Sequence, residues 1–232
     1  MTYQWIDRDR DFVARRYGRI AGLITFFDWL LFVPAKFRRH AAHMTAVKPG
    51  DHVLEIGCGT GRNLKFLSEA AGRNGHVYGV DLSHGMLEKA REYCAQQGLT
   101  NVTLTHADAL EYRAPHPIDG VMFGLSYNTM PNHRAVLRHA LSQLRPGGRV
   151  VIMDAKLPRG PGQQFILRFS VWLMKRTLLG NPHIKPWDDL EAVTDRFEIE
   201  DYLFGSYYIC RGIKRDDKPV AAAKQARQFE TA

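Results

Sequence analysis

From His52 onward the chain alternates short apolar, β-rich runs with segments whose apolar residues recur at helical spacing. Strands are predicted over Val53–Ile56, His76–Val80, Val102–His106, Val121–Phe123 and Arg149–Met153, and helices over Arg62–Ala71, Met86–Gln97 and His133–Leu144. This alternation implies an α/β fold with a parallel sheet, helices on both faces and right-handed crossovers. Pro158 to Gly162 ends the regularity, and Glu198–Phe204 with Ser206–Arg211, joined at Gly205, predict an antiparallel hairpin that closes the sheet. Ahead of this core, residues 1–45 show a helical pattern rich in aromatic and basic residues, which Pro34 divides in two. The expected organisation is a helical lid over 1–45 and a core domain over 46–214. An insertion at 160–190 carries an aromatic amphipathic helix (Gln164–Leu179), and the polar, Ala-rich tail at 215–232 has too little apolar surface to fold.

A chain of 232 residues suits one well-buried domain with additions. Cys58, Cys94 and Cys210 stand far apart, forming neither a disulfide framework nor a metal cluster, and the scattered histidines lack ligand spacing. The expectation is a reducing cytoplasm and no metal. Net charge of +8 changes the picture more, because nucleic acid, an anionic membrane surface and an acidic small substrate would all be drawn to such a field. Arg8, Arg10, Arg15, Arg16 and Arg19 on one side, and Lys36, Arg38, Arg39 and His40 on the other, bracket the apolar run Leu23 to Val33. Interrupted by Asp28, that run is shorter than the ~18–20 residues a membrane span needs. It also lacks the position and small-residue cleavage site of a signal peptide. The expected location is the cytoplasm, with peripheral contact at the inner face of the membrane.

In such a sheet a ligand binds at the carboxyl ends of the strands, where the first strand turns into the first helix. Here that turn is Gly57-Cys58-Gly59-Thr60-Gly61. The third glycine falls one residue too early for the dinucleotide fingerprint. Glu55 lies inside the first strand, where a buried carboxylate needs a hydrogen-bonding partner in the loop or a ligand. Asp81 ends the second strand, where a carboxylate can accept from both hydroxyls of a ribose.

Together these features resemble the class I S-adenosylmethionine-dependent methyltransferases over about residues 45–156. The resemblance implies a Rossmann-like three-layer sandwich with a mostly parallel seven-stranded sheet, and S-adenosylmethionine as cofactor with S-adenosylhomocysteine as product. In that pattern Glu55, Gly57, Cys58, Gly59, Thr60, Gly61 and Asn63 surround the methionine part of the cofactor. Asp81 holds the ribose, Leu82 and Met86 flank the adenine, and Asp108 with Ala109 reads its amino group. Gly124, Leu125 and Ser126, after the fourth strand, face the sulfonium, and Leu144-Arg-Pro-Gly-Gly148 matches the turn before the fifth. No catalytic triad is expected, because the sulfonium is already an activated donor and alignment supplies most of the rate.

The acceptor is read from the flanks. The aromatic tetrad with two prolines that marks many base-amino methyltransferases is replaced by Gly124-Leu-Ser-Tyr-Asn-Thr-Met-Pro131, which argues against methylation of nucleic-acid bases and leaves ribose or other RNA chemistry as the weakest of the alternatives. Tyr17-Gly-Arg-Ile-Ala21 and Phe26-Phe-Asp28 resemble the lid of methyltransferases that modify quinones and phospholipid head groups. Gly18 stands there in an Asp position and Phe27 in a Tyr position. Tyr127 is the candidate for positioning an acceptor, with Tyr17, Tyr207 and Tyr208 as further substrate contacts, since aromatic faces stabilise a cation formed by successive methylation. The leading expectation is N-methylation of a phospholipid head group or similar amphipathic amine. The alternatives are C-methylation of a quinone precursor, a soluble small-molecule acceptor, and a cofactor-binding protein without catalysis. Oligomeric state is not legible in the sequence.

Overall fold

The computed structural model describes residues 10, 15, 17, 18, 34–156, 184–202 and 205–215. The expected helix Gln164–Leu179, the run Leu23 to Val33 with its Phe26-Phe27-Asp28, and the tail from residue 216 lie outside these residues. The elements in order are α1 (Ala35–Met44), β1 (His52–Ile56), α2 (Leu64–Ala71), β2 (His76–Asp81), α3 (His84–Gln96), β3 (Val102–His106) and β4 (Ile118–Gly124). A 3-10 turn (Tyr127–Thr129) follows, then α4 (His133–Gln143), β5 (Leu144–Ala155), α5 (Pro186–Val193), β6 (Thr194–Tyr202) and β7 (Tyr207–Lys214).

All seven strands form one sheet in the order β3-β2-β1-β4-β5-β7-β6. The first five run parallel, and β7 pairs antiparallel with both β5 and β6, so the expected Rossmann-like architecture and closing hairpin are both present. Strand order reverses between β1 and β4, and the crevice outside their carboxyl ends is where such sheets take ligands.

The inner strands are apolar on both faces, as a doubly covered sheet requires. Val53, Val77, Met122, Val151, Met153 and Ile209 point to the face covered by α1, α2 and α3. Leu54, Ile56, Val80, Val121, Phe123 and Ile152 point to the face covered by α4 and α5. Local chemistry sets the helix ends. Pro34 caps α1, the Ser83 hydroxyl accepts from the Met86 amide at the start of α3, and Pro186 opens α5 with Asp188 and Asp189 in its first turn, complementing the helix dipole.

One boundary differs from expectation. The strand predicted at Arg149 begins five residues earlier, at Leu144, which pairs with Ile118. Residues 145–148 then loop out through Gly147 at φ +75° before pairing resumes at Arg149↔Gly120. The predicted turn is present, carried as an irregularity within the strand.

Candidate functional site

The turn between β1 and α2 is built by its glycines. Gly57 has φ +69°, and a Cβ there would lie 2.6 Å from Ser126 Cβ and 2.8 Å from Met130 Cε, so only glycine lets the loop pass the segment after β4. Ser126 fixes that contact by donating to the Ile56 carbonyl at 2.7 Å. Gly59 differs: at φ +54° its missing Cβ would meet no protein atom within 4 Å. Space is thus kept free above the loop at the switch point of the sheet.

Two carboxylates flank that space. Asp81 is half-buried and accepts from the Gly59 amide through Oδ2 and from the Ser83 amide through Oδ1, both at 2.8 Å. Burial pushes its carboxyl up, against the pull of those two amides. Glu55 is fully buried; its Oε1 accepts from Asn63 Nδ2 at 2.6 Å, and its Oε2 has no hydrogen-bond partner. Burial is the main cause of its rise from 4.5 to about 8, with Asn63 and the Arg38 guanidinium opposing it. A buried acceptor without a partner is costly, and a cationic ligand group would satisfy it.

Leu125, directly after β4, adopts φ +59° while its amide donates to the Met153 carbonyl at 2.7 Å. Left-handed backbone at a leucine is strained by roughly 1–2 kcal/mol, and such strain gathers at functional sites. Asp108 accepts from the Leu110 amide through Oδ1 at 2.8 Å, forming a turn, and its Oδ2 is paired with Arg10 of the N-terminal segment. Gly18 of the same segment lies against α3, where a Cβ at Gly85 would fall 3.1 Å from the Gly18 Cα. A Cβ at position 18 itself would meet only the Ser83 hydroxyl, at 3.5 Å, an ordinary contact, so the close approach constrains Gly85 and not Gly18.

The residues expected to hold the cofactor therefore converge at the ends of β1, β2 and β4: Glu55, the loop Gly57–Gly61, Asp81, Leu82, Met86 and Gly124–Ser126, with Asp108 and Ala109 after β3. Asn63 is buried and reaches the site through Glu55, and Cys58 is buried with its thiol pushed well up by burial.

The tyrosines chosen for the acceptor do not converge. Tyr127 is fully buried on the α4–α5 face, edge-on to Phe123 and His133, and its hydroxyl donates to Asp189 at 3.2 Å. That is core packing: the 3-10 turn after β4 swings the ring away from the loop. Tyr208 is fully buried on the same face against Trp187. Tyr207, on the loop's face, packs edge-on against Phe37 at 5.7 Å, and Tyr17 is half-buried beside Gly18. Sequence reasoning missed Arg38, Arg10 and Asp154. The last is buried at the end of β5, accepts from the Asn128 and Ala155 amides, and is pushed by burial to about 7.

No group of three or more metal-ligating side chains occurs among the described residues, and no described helix is long and apolar enough to cross a membrane.

Residues 53–148 match a family model described as a methyltransferase domain. Demethylmenaquinone methyltransferase of Listeria monocytogenes is 32% identical over 151 residues, which are 65% of this chain and 62% of that protein. The chain thus spans somewhat under two thirds of the length of the curated relatives it matches. Among solved structures, Haemonchus contortus Phospholethanolamine N-methyltransferase 2, in complex with phosphomonomethylethanolamine and S-adenosylhomocysteine, superposes with a TM-score of 0.69. It is 16% identical, covering 90% of this chain and 61% of that one. A SAM-dependent methyltransferase from Aquifex aeolicus gives 0.55 at 18% identity, over 89% of this chain and 99% of that one. Residues 53–148 thus match a methyltransferase domain, and the fold is shared with methyltransferases that use S-adenosylmethionine. The residues present fit that molecule: a loop whose central Cβ position is open, a half-buried acceptor at Asp81, and a buried, unsatisfied oxygen at Glu55.

Proposed function

We propose that this chain transfers a methyl group from S-adenosylmethionine to a ring carbon of a membrane-borne quinone precursor. The donor reading rests on the convergence of the glycine loop, Glu55 and Asp81 at the switch point of the sheet. The acceptor reading rests on one observation, the 32% identity over 151 residues with demethylmenaquinone methyltransferases.

In this reading the loop Gly57–Gly61 lies against the methionine part of the donor and Glu55 Oε2 accepts from its ammonium. Asp81, already oriented by the Gly59 and Ser83 amides, accepts from the ribose. Leu82 and Met86 flank the adenine, Asp108 and Ala109 meet its edge, and Gly124–Ser126 face the reacting end. S-adenosylmethionine supplies an already activated methyl group. The work left to the protein is alignment, exclusion of water from the methyl group and, because a ring carbon that gains a methyl group must lose its hydrogen as a proton, a route for that proton to solvent. Excess positive charge assists approach to an anionic membrane where such an acceptor resides.

The head-group amine expected from the sequence has the Phospholethanolamine N-methyltransferase 2 likeness beside it, but at 16% identity that likeness concerns the fold. The two acceptors separate in one assay. The protein is incubated with methyl-labelled S-adenosylmethionine and anionic vesicles containing either demethylmenaquinone, kept reduced, or phosphatidylethanolamine, at low and high salt. Label in the quinone, declining as salt rises, is the expected result. Label in the phosphatidylethanolamine head group, or only in water-soluble product, would overturn the quinone reading.

A further inference from the structure

Arg38 lies on the inner face of α1 and is 7% exposed. Its NH1 donates to Asn63 Oδ1 at 2.9 Å, and Asn63 Nδ2 donates in turn to Glu55 Oε1 at 2.6 Å. All three side chains are buried. A guanidinium can only donate, so it accepts no amide orientation but the one that turns Oδ1 toward it. That leaves the NH2 end facing Glu55. The guanidinium therefore decides the sense of the amide, and the amide decides which Glu55 oxygen is occupied.

The path of this chain is built into the fold. A Cβ at Gly124 would lie 2.0 Å from Asn63 Nδ2 and 3.0 Å from Glu55 Oε1, so the end of β4 leaves room for the Asn63–Glu55 bond. Oε2 is then the one polar atom of the three side chains that is buried without a partner.

We propose that Arg38 is a positioning residue for the donor site: through Asn63 it locks Glu55 so that Oε2 remains the open acceptor for the donor's ammonium. This rests on the donor-site role proposed for Glu55 above. It also couples α1 to donor affinity. Without the guanidinium the amide is free to reverse and set Oδ1, lone pair to lone pair, against the ionised Glu55 carboxylate that pairs with an ammonium. The nearby positive charge, which favours the ionised carboxyl, is lost at the same time.

The test is a double-mutant cycle of Arg38→Met and Glu55→Gln, titrating S-adenosylhomocysteine calorimetrically across pH and recording thermal melts of each variant. In the wild-type background Arg38→Met is expected to weaken binding about tenfold, the scale of one charge-assisted hydrogen bond, and to move the pH inflection of binding upward. In the Glu55→Gln background it is expected to change affinity by less than about twofold. An equal loss in both backgrounds, or wild-type affinity in Arg38→Met, would overturn the proposal. Arg38→Gln, which is uncharged and can accept as well as donate and so no longer fixes the sense of the Asn63 amide, carries the same cycle should the methionine variant fail to fold. A wild-type chain that binds no S-adenosylhomocysteine would instead refute the donor-site reading, and this inference with it.

Discussion

The Gly59 amide donates to Asp81 Oδ2 at 2.8 Å, tying the glycine loop after β1 to the carboxyl end of β2. Each carboxylate oxygen has two lone pairs, and Asp81 uses one on each for Gly59 and Ser83. The same side chain thus shapes the loop and keeps acceptors available beside the open space over Gly59. Its two tasks give the site a preformed geometry, for which a ligand need not reorganise the protein.

Gly57 and Gly59 are expected to respond differently to alanine. At Gly57 the new Cβ overlaps Ser126 and Met130 in a left-handed backbone, so Gly57→Ala should cost about 2–4 kcal/mol of stability. At Gly59 only the backbone conformation resists, about 1 kcal/mol, but the methyl group enters the space assigned to the donor. Gly59→Ala should therefore unfold in urea near the wild type while binding S-adenosylhomocysteine at least about tenfold more weakly. Wild-type affinity in Gly59→Ala would remove the loop from the site.

Burial raises the Glu55 carboxyl from 4.5 to about 8 and Asp154 from 3.8 to about 7. The folded chain then holds protons that the unfolded chain has lost, so their contribution is full below the unfolded values. It declines as pH rises through 4.5 to 8 for Glu55 and 3.8 to 7 for Asp154. His76, lowered from 6.5 by burial, acts oppositely but only at and below that value. Between about pH 7 and pH 8.5 the ligand-free melting temperature should fall, and Glu55→Gln should flatten the slope. An unchanged slope in that variant would contradict the buried, protonated Glu55.

Tyr127→Phe removes one hydroxyl from Asp189, which keeps Arg134 at 2.7 Å. The expected cost is about 1 kcal/mol, or a melting point lower by roughly 2–4 °C, with kcat/KM for methyl transfer within about twofold of wild type. A large loss of kcat/KM at an unchanged melting temperature would restore Tyr127 to the acceptor site.

The β-α alternation, the sheet's closing hairpin and the residues of the candidate donor site were legible because each has a local signature: period, turn glycines, and a carboxylate at a strand end. The facing of side chains after a strand has none. Tyr127 follows β4 through a 3-10 turn, and only the tertiary structure determines that the turn carries its ring to the α4–α5 face. Arg38 was hidden in the basic cluster Lys36 to His40, where each cation reads as solvated. A signal existed, since Arg38 shares a helical stripe with Ala42 and Thr45, beside Phe37 and Ala41, and that stripe is buried. Arg10 and Asp108 meet across 98 residues, which no local pattern encodes.

The most direct measurement is a calorimetric titration of S-adenosylhomocysteine into the wild type and Asp81→Ala, below the melting temperature of both. One site per chain in the wild type, weakened about tenfold to a hundredfold in the variant, is the result expected when a carboxylate loses its ribose hydrogen bonds. No binding to the wild type, or equal affinity in the two proteins, would contradict the donor site at the Gly59–Asp81 contact.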